Sequence, residues 1–392
     1  MPGSVIVSGA RTPIGKLSGA LASFSAMDLG GIAIAAALER AGIAPDAVDY
    51  VFMGQVLQAG QGQITARQAA TNAGIPMSVP ATTVNKVCLS GLNTIYLADL
   101  LIQAGEAEVV VAGGMESMTK APYLLPGARA GYRLGDGTIV DSMMYDGLYC
   151  QFDHVAMGLG TEQYNRDAKI SRQAQDAFSA QSHERAAAAI KDGRFADELA
   201  PVSVPQRKGD PIVVDTDEGV RPGTTAESLG GLKPAFDKEG TITAGNASQI
   251  SDGGAAVVVA SKAAAARLGG SLGEVVGYGQ VAGPDTSLLT QPSRATVRAL
   301  DRAGLNLSDV DLFEFNEAFA AVGLAAMDDL GLSEQVVNVN GGAIALGHPI
   351  GMSGTRLALT LLHELRRRGG GFGAAALCGG GGQGDALLVR TS

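Results

Sequence analysis

Residues 37–54 read "ALERAGIAPDAVDYVFMG", and residues 299–316 read "ALDRAGLNLSDVDLFEFN". Both open on Ala-Leu-acid-Arg-Ala-Gly and reach Val-Asp before an apolar run, 262 residues apart. A second pair keeps nearly the same spacing. "CLSGL" at 88–92 and "HPIGMSGT" at 348–355 each lead into a long helical pattern, with Gly91 and Gly354 263 residues apart. Each helical pattern then runs to a strand ending in glycines, "EVVVAGG" in one case and "AAALCGGGG" in the other. Chance likeness between two α/β units could produce one such match. Two matches at similar offsets point to an ancient duplication. Two duplicated halves pack about a pseudo-two-fold axis, which places the elements leading to Cys88 and His348 opposite one another.

The rest of the chain supports layered α/β architecture. Short β-rich runs, among them "VDYVFMG" (48–54), "AEVVVAGG" (107–114), "AAVVVA" (255–260), "VDLFEF" (310–315) and "VVNVN" (336–340), alternate with helical spacing at 27–42, 90–104, 294–304 and 353–368. Residues 120–248 fit neither repeat. They are richer in Pro, Asp, Tyr and Arg and hold one clear helix at 171–193. The expected division is an N-terminal half of residues 1–119 with 249–269, an inserted loop domain of residues 120–248 for binding and assembly, and a C-terminal half of residues 270–392.

Composition bounds the function. Of 392 residues 46% are apolar and 17% charged, a globular balance, while 55 glycines are about twice the usual share. Net charge is −10, and no Lys/Arg block resembles a nucleic-acid-binding tail. The start "MPGSVIVSGARTPIGK" lacks the pattern of a signal peptide. No uncharged apolar run reaches the ~20 residues that span a bilayer. Three cysteines, Cys88, Cys150 and Cys378, make no disulfide framework, so a cytoplasmic protein is expected. Three cysteines and four histidines show no metal-ligand spacing, and no metal is expected.

Four places carry chemistry-bearing residues. Cys88 stands where a helix over 89–104 begins, so the helix dipole could favour its thiolate; a small buried hydrophobe is the ordinary alternative. His348, in "NGGAIALGHPIGMSG", sits between glycine and proline and outside any helix interior. His154, His183 and His363 read as loop or exposed-helix residues. Cys378 ends a buried strand before four glycines in "AAALCGGGGQGDA", a turn that can bare backbone N–H groups for an oxyanion or serve tight packing. Asn316 and Glu317 in "FEFNEAFAA" end a β-type run, either to orient a water or to cap a helix. "GARTPIGKL" at 9–17 imitates a phosphate loop but has the wrong glycine spacing and lacks the closing Ser or Thr.

Taken together, "NKVCLSG", "NEAFAA", "GGAIALGHPIGMSG" and "CGGGGQGDA" resemble the thiolase family along essentially the whole chain, and most nearly its biosynthetic acetyl-CoA acetyltransferase branch. The resemblance implies two duplicated α/β halves in five α-β-α-β-α layers with an inserted loop domain, assembled as a homotetramer. It implies Claisen condensation of two acetyl-CoA to acetoacetyl-CoA and CoA, with thiolysis in reverse, and no cofactor besides coenzyme A as substrate or product. Cys88 would be acylated, with His348 accepting its proton, and Cys378 would abstract the α-proton of the second acetyl-CoA. One oxyanion site would be His348 with a water held by Asn316; the other, the N–H groups of Cys88 and Gly380. The positions matching the family's coenzyme A contacts are Leu148, Met157, Arg221, Phe236, Ala244, Ser248, Ala318 and Phe319.

Two departures touch the substrate channel. Ala156 stands where the branch often has histidine, with His154 two residues earlier, and "AGPDTSLLTQPSRA" (282–295) puts Leu288 at the usual methionine position. They leave a degradative 3-ketoacyl-CoA thiolase of broader chain length as the alternative. A decarboxylating ketoacyl synthase is disfavoured by Cys378. A non-catalytic acyl-CoA binder is disfavoured by the intact reactive positions, and a Cys88–Cys378 redox pair would be an added regulation.

Overall fold

The computed structural model describes residues 3–392. The first half contributes β1 (Val5–Arg11), α1 (Ala26–Ala41), β2 (Tyr50–Gly54), α2 (Thr65–Asn72), β3 (Ala81–Val84), α3 (Ser90–Gln103) and β4 (Val109–Ser117). A long excursion carrying α4 (Met157–Ala168) and α5 (Arg172–Lys191) follows before β5 (Ser251–Ala260). The second half contributes β6 (Gly273–Ala282), α6 (Gln291–Ala303), β7 (Leu312–Phe315), α7 (Ala320–Leu330), α8 (Ser353–Arg367), β8 (Gly371–Gly379) and β9 (Gln383–Thr391).

The duplication is visible strand by strand. In the first half the order is β3-β2-β4-β5-β1, and in the second β7-β8-β9-β6. β2 and β4 pair in parallel, as do β7 and β8; every later pair in each order is antiparallel. The two sheets meet where Val5 and Ile6 of β1 pair with Glu274 and Gly273 of β6. The opening repeat is one structural unit used twice. Gly42 and Gly304 end α1 and α6 in the left-handed region, at φ 63° and 69°, where a side chain would be strained. A single 3-10 turn follows in each case (Pro45–Ala47, Leu307–Asp309), then β2 or β7.

Helices α3 and α8 form the middle layer. Leu92, Ile95, Leu357 and Leu361 share one buried cluster with residues of both sheets. Helices α1 and α2 cover the outer face of the first sheet, and α6 with part of α7 covers that of the second. Five layers result. At the centre the equivalent glycines of α3 and α8 let the helix starts touch. A Cβ on Gly354 would lie 2.3 Å from Leu92 N, and one on Gly91 would lie 2.8 Å from Gly351 O. Thr355 Oγ1 donates to Gly91 O at 2.8 Å across the same contact. Gly354→Ala is therefore expected to cost about 3 kcal/mol, since backbone rather than a flexible side chain must yield. A lowered urea midpoint measures it; an unchanged midpoint would show that the helices have room.

One expected strand is absent. Val336–Asn340 makes only a single bridge, Phe313 to Val337. Asn338 turns to φ 46°, and its side chain takes the hydrogen bonds that a neighbouring strand would supply. Its Nδ2 donates to Phe315 O at 2.9 Å, and Phe315 N–H donates to its Oδ1 at 2.8 Å.

The excursion between β4 and β5 leaves and returns beside the same strand ends, where Ser117 pairs with Asp252. It is fastened to the first sheet by Arg11 of β1, fully buried, whose guanidinium meets Glu198 and Asp217 at 2.7 Å each. Removing one partner of such a buried triad leaves an uncompensated charge, so these pairs fix where the excursion lies on the core.

Candidate active site

Cys88 lies on the loop between β3 and α3, with Val87 before it held at φ 50°. A β-branched residue there is strained by on the order of 1–3 kcal/mol. Hydrogen bonds on both sides oppose its relaxation. Asn85 Oδ1 accepts from Val87 N–H at 3.0 Å, Ser90 Oγ donates to Val87 O at 2.6 Å, and the same oxygen accepts from Lys86 N–H at 2.8 Å.

Cys378 is nearly the last residue of β8 and is buried. The turn after it continues through Gly380, Gly381 and Gly382, the last at φ 66° with no room for a Cβ beside Asp285 O. Gly380 N–H faces the Cys88 sulfur. His348 follows the short helical turn Ala343–Leu346, its N–H bonded to Gln249 O at 3.0 Å. Asn316 stands just past β7, and its Nδ2 lies 3.3 Å from His348 Nε2. Its buried Oδ1 has no partner among the described residues.

Cys88, His348, Cys378 and Gly380 line one inner cavity of about 50 Å³, closed by Leu148, Met157, Leu288 and Phe319. It continues into an apolar cavity of about 480 Å³ lined by Leu148, Met157, Arg221, Phe236, Ala244, Ser248, Ala318 and Phe319, with His348 at the junction. All eight residues matched to coenzyme A contacts therefore share one cavity. Ala156 lines the outer part and Leu288 the inner. His154 is exposed and lines neither. Phe236 meets Phe319 edge to face, centroids 6.2 Å apart. Arg221, the one charge among the eight, is exposed at the mouth.

Comparison with known proteins agrees with this geometry. The family descriptions "Thiolase, N-terminal domain" and "Thiolase, C-terminal domain" match residues 4–263 and 270–391. The chain belongs to the thiolase family. It is 60% identical over 391 residues, 100% of both chains, to a probable acetyl-CoA acetyltransferase of Mycobacterium leprae. It is 53% identical to the acetyl-CoA acetyltransferase of Cupriavidus necator, covering 98% of each. The crystal structure of the Bacillus anthracis acetyl-CoA acetyltransferase superposes with a TM-score of 0.96 at 40% identity, covering 100% of this chain and 99% of that one. The fold is that of a thiolase, and the protein is an acyltransferase of that family.

The electrostatics of this thiolase site correct one expectation. A helix start was expected to favour the Cys88 thiolate, but burial dominates. With a further push from Glu116, it raises the thiol to about 12, although the N–H groups of Cys88 and Gly380 favour the charge. Burial, and secondarily the Arg356 charge, hold His348 down at about 3. The resting pair is thus neutral thiol and neutral imidazole. Cys88 alkylation by iodoacetamide should consequently rise about tenfold per pH unit from pH 7 to 9, following the thiolate fraction. A plateau near neutrality would instead reveal a thiolate–imidazolium pair. Burial and then the nearby Cys88 raise Cys378 too, so both sulfurs are not ionised together.

Ser353 was not foreseen. Its hydroxyl donates to Pro349 O at 2.9 Å, so it accepts from His348 Nδ1–H at 2.6 Å and leaves the lone pair on Nε2. Glu116 was also missed. Fully buried on β4, it accepts from the N–H groups of Val56, Leu57 and Gly351 at 3.0–3.1 Å and so fastens the His348 loop to the first half. Ser353 lies only five residues after His348, a spacing visible in the sequence. Nothing local marks Glu116. His183 proves buried rather than exposed, its Nδ1 accepting from Arg221 N–H at 3.2 Å. Glu317 is a buried brace to Ser182, Asn338 and Ile344 N.

Proposed function

We propose that the protein is an acetyl-CoA C-acetyltransferase, condensing two acetyl-CoA to acetoacetyl-CoA and CoA and running thiolysis in reverse. The observation that carries this reading is the convergence of two sulfurs and one imidazole on a closed cavity at the end of an apolar slot.

Cys88 Sγ attacks the thioester carbon while its proton passes to His348 Nε2; the C–S bond to CoA breaks, and His348 returns the proton to the departing sulfur. Once Cys88 is acylated, the neutral His348, which lines the same inner cavity, takes the Cys378 proton on Nε2 and leaves the Cys378 thiolate as base. That thiolate takes the α-proton of the second acetyl-CoA, and the enolate carbon bonds to the acyl carbon. Cys88 leaves as a thiolate and takes back the proton held on His348, so both thiols and the neutral imidazole are restored and protons balance over the cycle. Negative charge on the first thioester oxygen would meet the N–H groups of Cys88 and Gly380; on the enolate oxygen, the Nε2–H of His348, then carrying the Cys378 proton, and the Asn316 water. One such donor is worth about 2.7–4 kcal/mol.

The inner cavity favours short acyl groups. At about 50 Å³, closed by Leu148, Met157, Leu288 and Phe319, it has room for only a few heavy atoms. Steady-state thiolysis of acetoacetyl-CoA against C8–C16 3-ketoacyl-CoA tests this. Acetoacetyl-CoA should be preferred by at least about 100-fold in kcat/KM, on the order of what leaving apolar carbons without a pocket costs. A preference for the long chains would replace this reading with the degradative 3-ketoacyl-CoA thiolase. A homotetramer built as a dimer of dimers belongs to the same proposal, and light scattering on the purified protein measures it.

A further inference from the structure

The segment that carries Cys88 is held from the other half of the molecule by residues outside the inner cavity. Lys86 Nζ reaches both carboxylate oxygens of Asp385, at 2.7 and 2.8 Å. Tyr278 Oη donates to Asp385 Oδ2 at 2.7 Å. Asp385 is on β9, its side chain wholly buried, paired with Leu377 next to Cys378. Tyr278, on β6, stacks flat on Tyr96 of α3, ring centroids 4.2 Å apart, and so grips the helix that starts behind Cys88. Between Lys86 and Cys88 stands Val87, at φ 50°. A conformation that valine avoids persists only where its surroundings over-determine it, and its own loop supplies just short-range hydrogen bonds. Besides the contact of Asn85 Nδ2 with Val56 O at 3.4 Å, the tie across the two halves restrains that loop at long range.

We infer that Lys86, Asp385 and Tyr278 form a clamp that positions the nucleophile, keeping Val87 left-handed so that Cys88 Sγ and N–H stay aimed at the same carbon. The three residues are positioning residues. They line neither the inner cavity nor the apolar slot, and they couple the Cys88 loop to the strand pair that holds Cys378. The inference rests on the acyl transfer proposed above, but its test does not depend on turnover alone.

The experiment compares wild type, Lys86→Met, Val87→Gly and the double variant. The readouts are the rate of acyl-Cys88 formation from acetyl-CoA, the rate of Cys88 alkylation by iodoacetamide, and the Kd for CoA. Glycine adopts the left-handed region without strain. Lys86→Met should slow acylation about 10- to 100-fold, the loss typical of a misplaced reacting group, with CoA affinity unchanged. In the Val87→Gly background the same substitution should cost under threefold, because no strained conformation remains to be held. Lys86→Arg, which keeps the ion pair, should restore most of the rate. A Lys86→Met effect under threefold, or one of equal size with and without Val87→Gly, overturns the clamp. If Lys86→Met does not fold, Tyr278→Phe removes one hydroxyl and is read by the same criteria. Should wild type form no acyl-enzyme from acetyl-CoA, the proposed function fails, and the alkylation rates still decide the clamp.

Discussion

Cys88→Ala should form no covalent adduct with acetyl-CoA, and turnover in both directions should fall by on the order of 10⁴-fold or more. A nucleophile that opens a two-step path takes the whole path with it when removed, and what remains is binding and oxyanion stabilisation. The geometry permits no substitute. Cys378, the other thiol lining the inner cavity, is raised by burial and by Cys88, and it sits on β8 rather than on the strained loop. Cys88→Ser should fare little better. His348, held at about 3, is a weak base for a hydroxyl, which is far less acidic than a thiol. Intact-mass measurement after acetyl-CoA treatment decides the matter. An acyl adduct in Cys88→Ala, mapped to Cys378 or elsewhere, would show that the nucleophile has been misassigned.

Cys378→Ala should separate the two halves of the reaction. Acylation of Cys88 should stay within about threefold of wild type, since the attack uses Cys88, His348 and the N–H donors. Carbon–carbon bond formation should fall by about 10²–10⁴-fold, the usual worth of a positioned base. The acyl-enzyme should therefore accumulate to full occupancy and persist, visible as a stable acetyl mass shift. If condensation proceeds at the wild-type rate, the α-proton goes elsewhere and Cys378 serves only as lining.

Much of this architecture is readable along the chain. The repeated Ala-Leu-acid-Arg-Ala-Gly fixes two helices with left-handed caps, and the strands after them follow from local apolar runs. The failures are equally physical. Val336–Asn340 has strand composition, yet the Asn338 side chain replaces the ladder partner, a choice made by where Phe315 lies. His183 looked like a surface residue because helix α5 carries charges on several faces; its burial depends on the Arg221 segment folding over it.

The order of the residues proposed as reactive, the doubled α/β plan and the apolar lining of the slot are determined by the sequence alone, because each rests on residue type and spacing along the chain. Tertiary structure decided the protonation of the Cys88–His348 pair, the Ser353 contact that leaves the lone pair on Nε2, the Glu116 tie and the Lys86–Asp385 clamp. Those depend on how deeply a group is buried and on which partner, hundreds of residues away, arrives beside it. Burial is a property of the assembled layers: the helix start at Cys88 favours a charge, and the surrounding protein, by excluding water, reverses that preference.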